Sequence, residues 1–347
     1  MTTLTLAGLT KTYPGTDRPA LDRLDLAIES GSLTSLLGPS GCGKTTTMKL
    51  IAGLLAPDAG EIVLNGRSIH GLVPERRGVA MVLQNPLLFP HLTVGGNIGF
   101  GLKMRGLSST EIARQVDPML ARVHLDGMGH RPPTALSGGQ QQRAALARAL
   151  ILKPKVLLLD EPLSNLDAGL REEMQTLIRT LQRETGITTL VVTHDQAEAV
   201  ALSDRIALLF GGKLAQHGPP EDFYRRPASK AVARFFGGVN FVPGRSQAGT
   251  FQSVLGPLAL SKGLADGDHL LTVRPEALRL SPGPNARRAR VDAVAFLGTQ
   301  TRIDLSVAGV NLQALKAPDE AATLRPGMEI DISLPPDALW LLPSGDH

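Results

Sequence analysis

Residues 38–46 read Gly38-Pro39-Ser40-Gly41-Cys42-Gly43-Lys44-Thr45-Thr46. This is the pattern G-x-x-x-x-G-K-[ST]. Ahead of it, Leu33–Leu37 is a short, mostly apolar run that reads as a buried strand. Behind it, Met48, Leu50, Ile51, Leu54 and Leu55 fall on one helical face. Strand, glycine loop and helix start together form a cradle in which backbone N–H groups turn toward a phosphate chain. The helix start adds unpaired donors and the positive end of its dipole. Lys44 is suited to bridging β- and γ-phosphates, and Thr45 to offering a hydroxyl to Mg²⁺. The plainer alternative is a glycine-rich turn before a capped helix.

At 347 residues, with 42% apolar and 20% charged side chains, the chain has material for two domains with real cores. The net charge of +4 is small. Residues 1–239 hold 26 Lys and Arg against 21 Asp and Glu, and residues 240–347 hold 10 against 11. Neither part is basic enough to argue for nucleic acid. The single cysteine, Cys42, excludes an internal disulfide and a multi-cysteine metal site. The N-terminus lacks a basic stretch followed by an apolar one, and no apolar run nears the roughly 18 residues of a membrane span. The expectation is a cytoplasmic protein whose membrane role, if any, comes through a partner.

Along the chain, Leu4, Leu6 and Leu9, then Leu24, Leu26 and Ile28, alternate with polar residues as in two antiparallel strands around the turn-rich stretch 13–19. Tyr13 is either a packed turn aromatic or a stacking face for a flat base. Glu61–Leu64 with Asn65-Gly66 reads as strand and turn, and Gly78–Leu83 as a buried strand that delivers Gln84. Residues 86–152 lack strand signals. Within them Ser108-x-x-Glu111 is a capping box for a helix through Val123, and Gln140–Ile151 is a second helix. The stretch is expected to be a helical insertion in an α/β domain. Val156–Leu159, Thr188–Val192 and Arg205–Phe210 read as further strands, with an apolar helical face of Leu166, Leu170, Met174, Leu177, Ile178 and Leu181 between the first two. Polar signals thus sit at the carboxyl ends of strands, where open α/β sheets bind ligands. After Phe241 the pattern turns all-β: short segments at 270–274, 290–296, 301–307, 310–314 and 329–334 suggest a small barrel or sandwich, and residues 282–290 an exposed loop.

Two further signals join the glycine loop. Val156–Leu159 ends in Asp160-Glu161-Pro162, a carboxylate pair at a strand tip. There Asp160 can hold Mg²⁺ through water, and Glu161 can orient or deprotonate a water for in-line attack on a γ-phosphate. Leu136-Ser137-Gly138-Gly139-Gln140-Gln141-Gln142-Arg143 opens a helix with bare glycines, a second phosphate-suited start. One chain cannot bring both loops to one nucleotide if the second sits on a separate arm, whereas a head-to-tail pair of chains can.

On these residues the chain resembles the nucleotide-binding subunit of ABC transporters from about residue 4 to residue 240. Residues 38–46 match the Walker A loop, Gln84 in VLQNPLLFPHLTV the Q-loop, LSGGQQQR (136–143) the family signature, VLLLDEP (156–162) Walker B, SNLDA (164–168) the D-loop and VVTHDQAEA (191–199) the switch histidine. The resemblance implies an α/β P-loop NTPase with an antiparallel β subdomain and a helical subdomain at about 86–152, all within 1–239. It implies ATP and Mg²⁺ as ligands. ATP would be held by Tyr13, by Gly38, Pro39, Ser40, Gly41, Cys42, Gly43, Lys44, Thr45 and Thr46, and by Ser137, Gly138, Gly139 and Gln140 of a second copy. Asp167 would cross the dimer interface. Thr45, Gln84 and Asp160 would serve Mg²⁺, and Glu161, His194 and Gln84 catalysis. Residues 240–347, with Val273-Arg274-Pro275-Glu276, resemble the TOBE β-barrel of importer ATPases. Residues 101–106, 149–168 and 224–229 look most like ferric-iron and polyamine, opine or phosphonate uptake ATPases. Two positions depart from the family pattern: Leu83 stands before the Q-loop glutamine where Phe is usual, and Gly169 follows the D-loop where a charged residue is common.

The resemblance thus implies an ATPase peripheral to the cytoplasmic face of the inner membrane. It would act as a homodimer with two permease subunits and, indirectly, a periplasmic or lipid-anchored solute-binding protein. An importer for sugar or sulfate, an exporter subunit, a mainly regulatory module, or an ABC ATPase of DNA repair or translation are the alternatives.

Overall fold

In the computed structural model, which describes residues 3–261 and 266–343, Leu33–Leu37 is a strand buried at every position. It lies inside a six-stranded sheet of order Lys213–Gly218, Arg205–Phe210, Leu33–Leu37, Thr188–Val192, Val156–Asp160, Val79–Val82. Every neighbour pair is parallel except the antiparallel edge strand Lys213–Gly218, which the sequence reading did not anticipate. Because the five parallel strands run the same way, their carboxyl ends share one edge of the sheet. That edge carries Gly38, Gln84, Asp160, Glu161 and His194.

Both faces of this sheet are covered. Along Val156–Asp160, Leu157 and Leu159 join the core formed with the helices, while Val156 and Leu158 join the core on the other side. The two-residue period of a strand explains why an all-apolar run was needed there. On the second face sits an antiparallel sheet of order Leu21–Ile28, Leu4–Lys11, Ala59–Leu64, Arg67–Ser68. Each fully buried Leu contributes about 1.5–3 kcal/mol. Helix Lys44–Ala52 stops at Gly53, whose φ of 81° suits only glycine at low cost. Leu54 therefore falls outside the helix and is 61% exposed, contrary to the expected apolar face.

Residues 86–152 form the helical insertion: Val94–Met104, Ser109–Arg122 and Gly138–Leu150. The Ser108–Glu111 capping box is made in both directions. Helix Ala168–Thr185 buries Met174, Leu177, Ile178 and Leu181 as the periodicity predicts.

By contacts the chain divides into Met1–Pro220 and Glu221–His347. This division falls earlier than the compositional break at 240. The reason is local to the second unit: the Arg274 guanidinium donates to the carbonyls of Phe223, Tyr224, Ala233 and Phe236, at 2.5–3.3 Å. Those carbonyls belong to two short helical segments, Pro220–Arg225 and Lys230–Phe235, or to the residue that ends the second. The Trp340 indole donates to Pro227 between them. The β portion comprises two antiparallel sheets around one core. One has the order Leu258–Ala259, Thr250–Ser253, Asn240–Gln247, Gly267–Val273, Leu339–Pro343. The other has Val310–Lys316, Thr301–Val307, Arg287–Phe296, Glu329–Ile332. The expected exposed loop at 282–290 is only partly one, since strand Arg287–Phe296 begins inside it. Arg288 and Arg290 lie on the outer face, where Arg288 pairs with Glu329 and Asp331, while Ala289 and Val291 point into the core. A strand with a charged outer face reads as a loop when the apolar residues between the charges are small.

Candidate functional site

The glycine loop is shaped by its own surroundings. A Cβ on Gly38, at φ 150°, would lie 2.3 Å from the Leu209 carbonyl oxygen. One on Gly43, at φ 104°, would lie 2.5 Å from that of Ala20. Neither position admits a side chain. The amides of Gly41 and Gly43 make no hydrogen bond among the described residues, so they are donors available to an anion. Lys44 is buried, and its ammonium is held at the loop by donating to the Gly38 and Pro39 carbonyls at 2.6 and 2.9 Å. Cys42 is buried against the loop, with burial pushing its thiol pKa up, so its thiolate is disfavoured. Thr47 donates back to Gly43, while Thr45 is exposed at the helix start. Tyr13 lies alongside, its hydroxyl 3.2 Å from Thr46 Oγ1 and its residue 37% exposed, so it is both packed and presenting.

On the same edge, Asp160 closes its strand and Glu161 follows with a φ of 44°. Such backbone in a non-glycine residue costs roughly 1–3 kcal/mol and persists only when held. Here it is held at both ends. The Glu161 N–H donates to Val192 at 2.9 Å, and its carbonyl accepts from the Ser164 amide and hydroxyl at 3.3 and 3.1 Å. The turn aims the carboxylate at His194, with Oε1 3.1 Å from Nδ1. Such a pair can orient a water and stabilise the proton that water gives up. The Asp160 carboxyl pKa is raised, first by burial and then by the neighbouring Glu161 charge, against the pull of Lys49 and Lys44. A carboxylate made costly by burial and by a like charge beside it suits a nearby cation.

Whether Mg²⁺ fits can be judged from the donors. Thr45, Asp160 and Gln84 offer hard oxygens. No cluster of three or more metal-binding side chains occurs among the described residues. That matches a metal completed by phosphate oxygens and water rather than by an all-protein cage. Gln84 donates to Ser164 Oγ at 3.1 Å, and Ser164 in turn pins Glu161. Ser164 is a site residue the sequence reading quoted inside a motif but did not single out. Its only signal was its distance of three residues from Glu161. After Gln84, the segment Pro86–Phe89 is fastened by Arg148, which donates to Pro86 and Leu87 and sits over the Phe89 ring.

The second glycine pair is elsewhere. Ser137 caps helix Gly138–Leu150 in a full capping box with Gln140. Among the described residues no hydrogen bond joins residues 137–140 to the glycine loop. At Gly138 a Cβ would meet nothing within 4 Å, and no left-handed φ requires glycine there. Among the described residues nothing requires the lack of a side chain there. Asp167, expected at an interface, caps helix Ala168–Thr185 by accepting from the Leu170 amide at 3.0 Å. A buried Gln142 ties the signature helix to the carboxylate turn through the Pro162 carbonyl.

Comparison with known proteins follows the same division. Residues 21–164 match the ABC transporter family, and residues 271–342 match the TOBE domain. A ferric-ion import ATP-binding protein of Photobacterium profundum is 46% identical over 83% of this chain and 83% of its own. A spermidine/putrescine import ATP-binding protein of Frankia alni is also 46% identical, over 88% of this chain and 71% of its own. An ATP-binding cassette solved as a dimer in a post-hydrolysis state, with ADP and Pi bound, superposes with a TM-score of 0.57. It is 31% identical and covers 62% of this chain and 98% of that one.

Proposed function

This chain belongs to the ABC transporter family, and from that premise we propose that it is the ATP-binding and ATP-hydrolysing subunit of an importer. The observation that carries the reading is the Glu161–His194 contact of 3.1 Å on the sheet edge that bears the glycine loop. The loop amides and Lys44 hold the triphosphate, and the Tyr13 ring supports the base. Glu161 orients the attacking water and takes its proton. His194 fixes the carboxylate and faces the γ-phosphate. Mg²⁺, when bound between Thr45, Asp160 and Gln84, supplies positive charge that offsets the charge developing on the phosphoryl oxygens. Gln84 links that site to the segment that follows it, 85–91, which in this reading meets the permease.

Ser137, Gly138, Gly139 and Gln140 complete the site of a second copy, so two chains enclose two nucleotides. The open space at Gly138 and the dimeric cassette among its structural relatives support this arrangement. No helix among the described residues is long and apolar enough to cross a membrane. The transport path is accordingly supplied by two permease subunits at the inner membrane, with a solute-binding protein upstream. Leu87, 64% exposed on the segment fastened by Arg148, is the apolar contact expected to meet a permease. Relatives of equal identity are named for ferric-iron and for polyamine import, and the cargo is assigned to these two classes.

Glu161→Gln tests the reading. Turnover in the assembled transporter should fall roughly 10²–10³-fold, the loss expected for a preorganised transition-state group, with ATP binding retained. Lys44→Ala should instead weaken ATP binding itself. Full turnover by the first variant, or unchanged affinity in the second, would remove the assignment. Uptake of labelled ferric iron and spermidine by a deletion strain decides the cargo.

A further inference from the structure

Glu198 is a buried carboxylate that the mechanism above does not use. It lies in the first turn of helix Gln196–Leu202, 5% exposed. Its Oε2 accepts from the Thr193 hydroxyl at 2.7 Å, and that hydroxyl accepts from the Asp195 amide at 3.0 Å. The two residues flanking His194 are therefore fastened to each other and to Glu198. On its other side, Glu198 Oε1 lies 3.7 Å from Arg171 Nε, a buried nitrogen with no hydrogen-bond partner among the described residues. Arg171 stands at the start of helix Ala168–Thr185. Its guanidinium donates to the Leu166 carbonyl, and its amide to that of Asp167, the residue that caps the helix. One carboxylate thus touches both the turn that holds His194 and the start of the helix capped by Asp167.

We propose that Glu198 is a positioning residue. It transmits the placement of the 164–167 loop, through Arg171 and Thr193, to the ring of His194. This rests on the catalytic reading of His194 given above. A buried carboxylate whose pKa is raised by burial is costly to keep ionised, and a structural role alone would be met more cheaply by a Gln or Leu. What the charge adds is a directional tie to a cation on another element. When the 164–167 loop is displaced, as by closure of a second copy over it, Arg171 moves with its helix and the His194 turn follows.

The test is a double-mutant cycle in the full-length chain, assembled with its permease, with kcat and KM for ATP read separately. Thr193→Val and Arg171→Met should each lower kcat roughly 10-fold with KM within about twofold, as misplacement of a reacting group does. The double variant should lose no more than the worse single one, because both contacts act through the same carboxylate. Thr193→Ser should restore turnover. Glu198→Gln keeps an acceptor for Thr193 and removes only the charge facing Arg171, so it should match Arg171→Met. Multiplying losses in the double variant, losses confined to KM, or wild-type turnover by Glu198→Gln would overturn the proposal. Thermal unfolding and ATP binding of each variant separate misfolding from misplacement. His194→Ala is the control: if it turns over normally, the catalytic reading of His194 fails, and if it is inactive while the cycle shows no coupling, only this inference does.

Discussion

Replacing Gly138 by Ala separates what this chain needs for itself from what a second copy needs of it. Gly138 opens helix Gly138–Leu150, and the added methyl would have no atom within 4 Å. Alanine should therefore make the isolated chain more stable by roughly 0.5–1 kcal/mol, the helix preference of Ala over Gly. In a unit of this size that is a rise in Tm of about 1–4 °C. If a partner's nucleotide approaches the bare amides, the same methyl occupies the space that approach requires. ATP-driven dimerisation should be lost and turnover should fall at least about 10²-fold, while each chain still binds ATP. Gly38→Ala provides the contrast. Its methyl would lie 2.3 Å from a backbone oxygen at a φ of 150°, so stability itself should fall, by roughly 1–3 kcal/mol from backbone strain alone. The assays are thermal unfolding without nucleotide, sedimentation of each variant in a Glu161→Gln background with Mg-ATP, and steady-state hydrolysis. Normal hydrolysis by Gly138→Ala would show that this glycine is not reserved for a partner, and a lower Tm would show that the local packing has been misread.

Two further substitutions probe other parts of the chain. Arg274→Met removes the guanidinium from the carbonyls of Phe223, Tyr224 and Phe236, while that of Ala233 keeps the Gly238 amide as a donor. The second unit should lose about 1–3 kcal/mol for each carbonyl left unsatisfied and melt in a separate, earlier calorimetric transition, and a single unshifted transition would contradict this. Asp160→Asn addresses the raised carboxyl pKa. Because the folded value lies above the unfolded one, the ionised group costs stability above its folded pKa, and that cost vanishes as pH falls to the unfolded value near 4. The variant should melt higher than wild type at pH 7–8 without Mg²⁺ and nucleotide, and the difference should close toward pH 4. A gap that widens on acidification would refute the sign.

Much of the fold was legible because its signals are local. The strand at 156–160 opens on the apolar run Val156–Leu159, those at 33–37 and 188–192 add only Thr and Ser to Leu and Val, and the helix at 109–122 announces itself by a capping box. The edge strand Lys213–Gly218 was not legible: being covered on fewer sides, it needs no apolar run and carries Lys213, Gln216 and His217. The same holds for Asn240–Gln247 and for the first residues of Arg287–Phe296, where pairing partners far along the chain decide the conformation.

The order of the residues by itself determined which chemistry is present, because a phosphate loop, a carboxylate pair and a histidine are set by side-chain type and by spacing along a few residues. Only the tertiary structure decided how they meet. Parallel pairing places the loops after three separate strands side by side, and it is the contact of Glu161 with Val192, Ser164 and His194 that fixes the carboxylate's direction. Hydrogen bonds between groups more than 30 residues apart leave no trace in local pattern, since their energy depends on where the sheet brings the chain and not on what neighbours each residue along it.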